Sequence, residues 1–225
     1  LPKVEFSKIR LAHPNIPKGE KLVVAQITDV HLGPWIKPRH LREIVDHVNL
    51  LEPDVVALTG DYVGYRKWPL QACADVFSYL EAPSYAVLGN HDHWTDSELA
   101  VRVFDDTPID LLQNESRELA LADFNIRVAG VDDAVTKNHD VEAAHQDHSH
   151  HPFTLTLNHV PDIADQCVEH GSDVILSGHT HGLQFNVKGV SQRLAKFAKV
   201  KYTGGYYAIG HSHLYVCRGL GSASW

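Results

Sequence analysis

The sequence predicts an α/β fold, a single domain over residues 1–225 in which two β-sheets pack face to face with helices outside. Three observations carry this reading. The first half alternates a short apolar run with a helical pattern three times, which makes a parallel, right-handed α/β unit. The second half changes to alternating and short buried strands. No internal repeat and no linker divides the chain.

Residues 21–28 (KLVVAQIT) form a β-branched apolar run, read as a buried strand. Pro38 opens a helix with Leu41, Ile44, Val45 and Val48 on one face, closing before Pro53. Residues 54–59 (DVVALT) are a second strand, and 70–80 a second helix carrying Leu70, Cys73, Phe77 and Leu80. Residues 85–88 (YAVL) are a third strand. Thr95 and Glu98 have the spacing of a capping box that starts the next helix. Residues 115–121 and 125–131 read as a hairpin. Strands at 153–157 and 173–176 flank a helix beginning near Pro161, and 201–209 with 214–218 read as antiparallel strands.

Composition narrows the function classes. The chain has 225 residues, is 44% hydrophobic and carries a formal net charge of −8. That charge argues against a specific nucleic-acid partner. No run of about 18 apolar residues is present. The three cysteines, Cys73, Cys167 and Cys217, form no CxxC pair and read as inert thiols. The chain starts at Leu1 and contains no Met, so it reads as a fragment or processed form. The expected localisation is cytoplasmic or peripheral at the inner membrane, with any upstream anchor lying outside this chain.

Histidine, with 17 copies, is the unusual residue. Its position decides its meaning. The first strand runs into Asp29-Val30-His31, the second into Gly60-Asp61, and the third into Gly89-Asn90-His91-Asp92. The later strands run into Asn158-His159 and Gly178-His179-Thr180-His181. Functional residues of such sheets sit at the carboxyl ends of strands. On an extended chain, residues i and i+2 point the same way, so Asp29 and His31 are expected to share a metal. The donors are oxygen and imidazole without thiolate. They suit two divalent transition-metal ions (Mn, Fe, Zn or Co, with Mn favoured) better than Ca or Mg alone. Seven ligands are too many for one such ion, and two ions sharing a carboxylate is the natural solution.

Asp29-x-His31, Gly60-Asp61, Gly89-Asn90-His91-Asp92, His159 and Gly178-His179-x-His181 together resemble the calcineurin-like metallophosphoesterase superfamily, in the family's order across residues 21–184. The resemblance implies a four-layer αββα sandwich of two mixed sheets. It implies that Asp29, His31 and His181 hold one metal, that Asn90, His159 and His179 hold the other, and that Asp61 bridges them. The implied chemistry is in-line attack on phosphorus by metal-activated water, with His91 as the general acid.

Several features divide between readings. Gly210-His211-Ser212-His213 repeats the GHxH pattern but lies between antiparallel strands, so a hairpin turn is expected. His145, His148, His150 and His151 read as a solvated loop. Trp35, Tyr62, Tyr65, Trp68 and Trp94 follow the ligand clusters and form either an apolar rim or a cap on the core. Lys188, Arg193, Lys196, Lys199 and Lys201 surround Leu194 and Phe197, a pattern suited to anionic lipid or to a plain solvated helix.

Gly64 stands where the protein-phosphatase branch has a second Asp, which leaves Asp92 as the carboxylate to orient His91. Gly130-Val131-Asp132-Asp133 and the closing segment around Tyr206 and 214–221 resemble the YkuE/YaeI-type phosphodiesterases and the related UDP-2,3-diacylglucosamine pyrophosphatases. The expected function is hydrolysis of a phosphodiester or pyrophosphate in a small-molecule or lipid-linked substrate, with peripheral membrane contact. The alternatives are a cyclic-nucleotide phosphodiesterase and a non-catalytic metal-binding scaffold.

Overall fold

The computed structural model describes residues 4–33, 35–146, 153–182 and 201–221. The first sheet comprises β1 (Val24–Ile27), β2 (Val55–Thr59), β3 (Ser84–Val87) and β4 (Asp110–Leu111), paired in that order. Every described pair in it is parallel. Helices α1 (Pro38–Asn49), α2 (Pro69–Phe77) and α3 (Asn90–Asp105) follow β1, β2 and β3 in turn.

The second sheet contains β5 (Glu115–Ala120), β6 (Asn125–Val131), β7 (Thr154–Asn158), β8 (Val174–Ser177), β9 (Gly205–Ile209) and β10 (Ser212–Val216). Their order is β5-β6-β7-β8-β10-β9. It is mixed. The β5–β6 and β9–β10 pairs are antiparallel, while β6–β7, β7–β8 and β8–β10 are parallel. Among the described residues two helices belong to this half, α4 (Val141–Ala144) and α5 (Ala164–Glu169), the latter entered through a 3₁₀ turn at Pro161–Ile163.

The two faces of β2 show how the layers stack. Val56 and Leu58 pack with Leu41, Val45, Phe77 and Phe104 of the helices. Val55 and Ala57 pack with Val128, Leu155 and Leu157 of the other sheet. Both faces are buried, which explains the unbroken apolar run of this strand. A third core joins Ile175, Leu214 and Val216 to Val141, Ala144 and Cys167. The result is α1–α3, sheet, sheet, then α4 and α5: the αββα sandwich expected.

Some boundaries differ from expectation. Thr95 and Glu98 do not start a helix. α3 already begins at Asn90 and kinks at Asp96, whose backbone is extended (φ −178°, ψ 92°). Asp96 Oδ1 accepts the Leu99 N–H at 3.0 Å, so Asp96 caps the second segment. Thr95 instead donates its hydroxyl to the Gly64 carbonyl at 2.8 Å. β4 and α4, two and four residues long, were too short to carry a periodic signal.

Candidate metal centre

The strands of both sheets deliver their polar clusters to one edge of the sandwich. The loop after β1 is zipped to the loop after β2 by three backbone bonds: Asp29 N–H to Gly60 O (2.9 Å), His31 N–H to Asp61 O (3.0 Å) and Leu32 N–H to Tyr62 O (2.9 Å). On the other side, Gly178 N–H bonds His159 O at 3.0 Å.

Asp29 and His31 do not lie on extended chain, as their i, i+2 spacing suggested. Their φ values are 50° and 44°, and Asp61, His179 and His181 also have positive φ, at 55°, 68° and 50°. Five of the seven expected ligands therefore occupy the left-handed region, at a cost of about 1–2 kcal/mol each. The sharp turns, rather than strand pleating, make these side chains converge. Such strain clusters where function over-determines geometry.

Among the described residues two overlapping donor groups result, Asp29 with His31 and His181, and Asp29 with Asp61 and His159, with the donor atoms within 4.8 Å of one another in each group. His181 Nε2 lies 3.1 Å from Asp29 Oδ1 and 3.1 Å from His31 Nε2. Asp61 Oδ2 lies 3.5 Å from His31 Nε2 and 3.3 Å from His159 Nε2. Backbone carbonyls fix two of the rings. His159 Nδ1 donates to Thr59 O at 2.8 Å, and His31 Nδ1 to Val63 O at 3.3 Å, leaving each Nε2 turned inward. His179 sits with its ring 5.1 Å from that of His159. Its N–H donates to the Asp29 carboxylate at 3.1 Å.

The residues fit a pair of divalent ions. Asn90 Oδ1 and His159 Nε2 are buried without a hydrogen-bond partner, and a cation would satisfy both. Burial pushes the His31 and His179 imidazoles down to about 4, so both are neutral donors at physiological pH. Burial would lower His159 as well, but without a cation the Asp61 charge raises it to about 10, so an ion at its Nε2 would have to displace that proton. Burial opposes ionisation of Asp29, yet its His181 hydrogen bond and the His159 charge hold the carboxyl below its usual value. Asp61 is also lowered against its burial, chiefly by His159.

Asp92 does not orient His91. Its fully buried carboxylate accepts four backbone N–H groups: Asp61 (2.8 Å), Tyr62 (2.9 Å), Val63 (3.3 Å) and Gly89 (2.9 Å). It clamps the Asp61 turn to the start of α3 and makes no hydrogen bond to His91 Nδ1. His91 Nδ1 is buried without a partner, and the ring lies among those of His31, Tyr65 and Trp94.

The aromatic residues separate. Tyr62 is fully buried, packs on Phe77 and Phe104, and donates its hydroxyl to Val87 O at 2.7 Å, so it belongs to the core. Trp35, Tyr65, Trp68 and Trp94 are 71%, 66%, 61% and 56% exposed. The second GHxH sequence spans the β9–β10 turn and the start of β10, and His213 Nδ1 accepts the Tyr206 hydroxyl at 2.9 Å. His145 is not solvated. It is buried, with Nδ1 donating to Val141 O at 2.8 Å and Nε2 accepting from Ser172 Oγ at 3.0 Å. His148, His150 and His151, and the basic segment except Lys201, lie outside the described residues. Lys201 pairs with Asp165 at 2.6 Å. Cys73 and Cys167 are buried, and burial pushes the Cys167 thiol up to about 12, as expected of inert thiols. Among the described residues no helix is long and apolar enough to cross a membrane.

The fold and this convergent donor set define a metallophosphoesterase. The chain belongs to the calcineurin-like phosphoesterase family, whose model matches residues 22–183, and it is a metal-dependent phosphoric ester hydrolase. It is similar to the uncharacterized metallophosphoesterase YkuE of Bacillus subtilis, with 31% identity covering 92% of this chain and 74% of YkuE. It is also similar to phosphodiesterase YaeI of Escherichia coli (31%, covering 76% and 64%) and to UDP-2,3-diacylglucosamine pyrophosphatase LpxG of Chlamydia trachomatis (24%, covering 92% and 81%). The fold matches that of TT1561 from Thermus thermophilus, with a TM-score of 0.58 at 12% identity, covering 87% and 89%.

Proposed function

We propose that this protein is a dinuclear phosphohydrolase that cleaves the phosphodiester or pyrophosphate bond of a lipid-linked nucleotide resembling UDP-2,3-diacylglucosamine. In this reading Asp29, His31 and His181 hold one ion, Asn90, His159 and His179 the other, and Asp61 bridges. The carrying observation is the Asp61 carboxylate oxygen, placed 3.5 Å from His31 Nε2 and 3.3 Å from His159 Nε2. One oxygen between two imidazoles is the arrangement a shared ligand needs. Two divalent ions there, with Mn favoured, would supply Lewis-acid charge and lower the pKa of water.

The chain's own residues do the rest. Asp29 and Asp61 bring the negative charge that retains the cations. The carbonyls of Thr59 and Val63 hold His159 and His31 in the tautomer that leaves Nε2 available. As water's oxygen bonds to phosphorus and the opposite P–O bond breaks, His91 gives its proton to the leaving oxygen. Trp35 and Trp68, exposed beside the ligand loops, form an apolar rim suited to acyl chains or a membrane surface. The names of YaeI and LpxG, a phosphodiesterase and a lipid-nucleotide pyrophosphatase, support this substrate class.

The test is UMP release from UDP-2,3-diacylglucosamine in detergent micelles by the Mn-loaded protein. Release that falls on Trp35→Ala and Trp68→Ala substitution is the expected result. Hydrolysis of cyclic AMP without any UMP release would give the function to the cyclic-nucleotide alternative. Metal binding with no hydrolysis of any ester would make the protein a scaffold.

A further inference from the structure

A histidine that transfers protons is ordinarily oriented by a hydrogen-bonded carboxylate or carbonyl. His91 has neither. Its Nδ1 is buried without a partner, and Asp92 is spent on four backbone amides. Nothing lies within 4 Å of a Cβ built on Gly64.

Three rings surround the His91 imidazole instead. Tyr65 lies at 4.8 Å between centroids and 66° between planes, Trp94 at 5.2 Å and 64°, and His31 at 4.9 Å and 84°. All three are edge-to-face contacts, the geometry that ring quadrupoles favour. Trp94 follows His91 by three residues on α3, so the two share a helix face. Tyr65 comes from the loop after β2. Beyond the Asp92 clamp on residues 61–63, two further ties hold that loop to α3: the Thr95 hydroxyl bonded to Gly64 O at 2.8 Å, and Lys67 Nζ paired with Asp96 at 2.7 Å. Tyr65 and Trp94 are more than half exposed, so core packing does not explain their placement.

We propose that Tyr65 and Trp94 are positioning residues that hold the His91 ring by aromatic contact, in place of a hydrogen-bonded carboxylate, so that its proton is aimed at the leaving oxygen. The inference rests on His91 being the proton donor. It divides the four exposed aromatics into two roles, with Trp35 and Trp68 facing substrate or membrane and Tyr65 and Trp94 serving the acid.

The test compares two leaving groups on the Mn-loaded protein. The p-nitrophenyl ester of thymidine 5′-monophosphate expels nitrophenolate with little need of a proton, whereas its phenyl counterpart needs one. Tyr65→Ala and Trp94→Ala should each lower kcat on the phenyl ester roughly tenfold or more, and on the nitrophenyl ester less than about threefold. Tyr65→Phe and Trp94→Phe keep the ring and should stay near wild type on both. Thr95→Val loosens the tie without touching the rings and should give a weaker version of the same split. His91→Ala should show the split most strongly. If His91→Ala splits the substrates and the Ala variants of Tyr65 and Trp94 lower both equally, the aromatic clamp is wrong and the acid stands. If His91→Ala lowers both equally, the acid assignment fails and takes the clamp with it.

Discussion

Gly178 packs directly against the carboxylate of Asp29, so closely that a Cβ there would overlap Asp29 Oδ2 and the Thr28 hydroxyl. The contact joins the turn after β8 to the turn after β1, across the two sheets. Glycine is required by this approach, because any side chain would displace the carboxylate shared by both donor groups. Gly178→Ala is therefore expected to fold but to lose at least half of its bound metal, and most of its hydrolysis, in elemental analysis of protein purified with Mn²⁺. Full metal content in this variant would show that the close approach of Gly178 is not what holds the Asp29 carboxylate in place.

Asp92 has the opposite character, since its four hydrogen bonds all come from backbone. Asp92→Ala leaves the N–H groups of Gly89, Asp61, Tyr62 and Val63 without their acceptor in a dry site. The expected loss is about 3 kcal/mol or more of folding stability, from urea denaturation. Asp92→Asn should also destabilise, because its NH₂ must face donors on whichever side it is placed. If either variant lost activity with stability unchanged, a direct role beside His91 would be restored.

These two residues mark what could be read in the sequence. The ligand clusters were legible because each follows a short apolar strand, and strand ends of such sheets converge. The reason for convergence was not legible. Asp29, His31, Asp61, His179 and His181 sit at positive φ, which neither aspartate nor histidine announces as glycine would. Asp92 was left as the partner for His91 because Gly64 stands where the second Asp would be, yet adjacent residues on a helix face different ways. Tyr62 was left open between rim and core, and only its tertiary contact with Phe104 decides for the core. His145 was misplaced because its histidine-rich tract reads as polar loop, while its bond to Ser172 lies far away in sequence. The helix start expected at Thr95 lies one residue before the break in α3 at Asp96, since Thr95 is as good a cap by type but its hydroxyl is used on Gly64.

His145 gives a pH dependence remote from the metal ligands. Burial holds its imidazole below the ordinary value of 6.5, and the nearby Arg127 charge adds to this, against the pull of the Val141 carbonyl. The neutral form is the one the fold prefers. Its stabilising effect is complete above pH 6.5 and is lost as pH falls from there toward the lowered folded-state value, because the unfolded chain takes up the proton first. The stability difference between wild type and His145→Gln should therefore shrink between pH 7 and pH 5, followed by urea unfolding. A difference that stays constant over that range would mean that folding leaves the His145 pKa unchanged, and one that grows toward pH 5 would mean that the folded protein holds the proton more tightly than the unfolded chain.

Metal binding should stabilise the fold through Asp61 in particular. Its Oδ1 accepts the His91 N–H at 2.9 Å and its Oδ2 faces His31 and His159, so one side chain links the helix start to both imidazoles. At about one hundred times the dissociation constant, a bound ion adds about 2.7 kcal/mol. In a chain of this size that corresponds to a rise in Tm of roughly 5–10 °C. Titrating Mn²⁺ into EDTA-stripped protein should give this rise for wild type. Asp61→Asn keeps an acceptor for His91 but loses the charge, and should show less than about half of the rise at the same Mn²⁺ concentration. Equal shifts in the two proteins would mean that the ions bind without Asp61, and the bridging assignment would fall even if hydrolysis persisted.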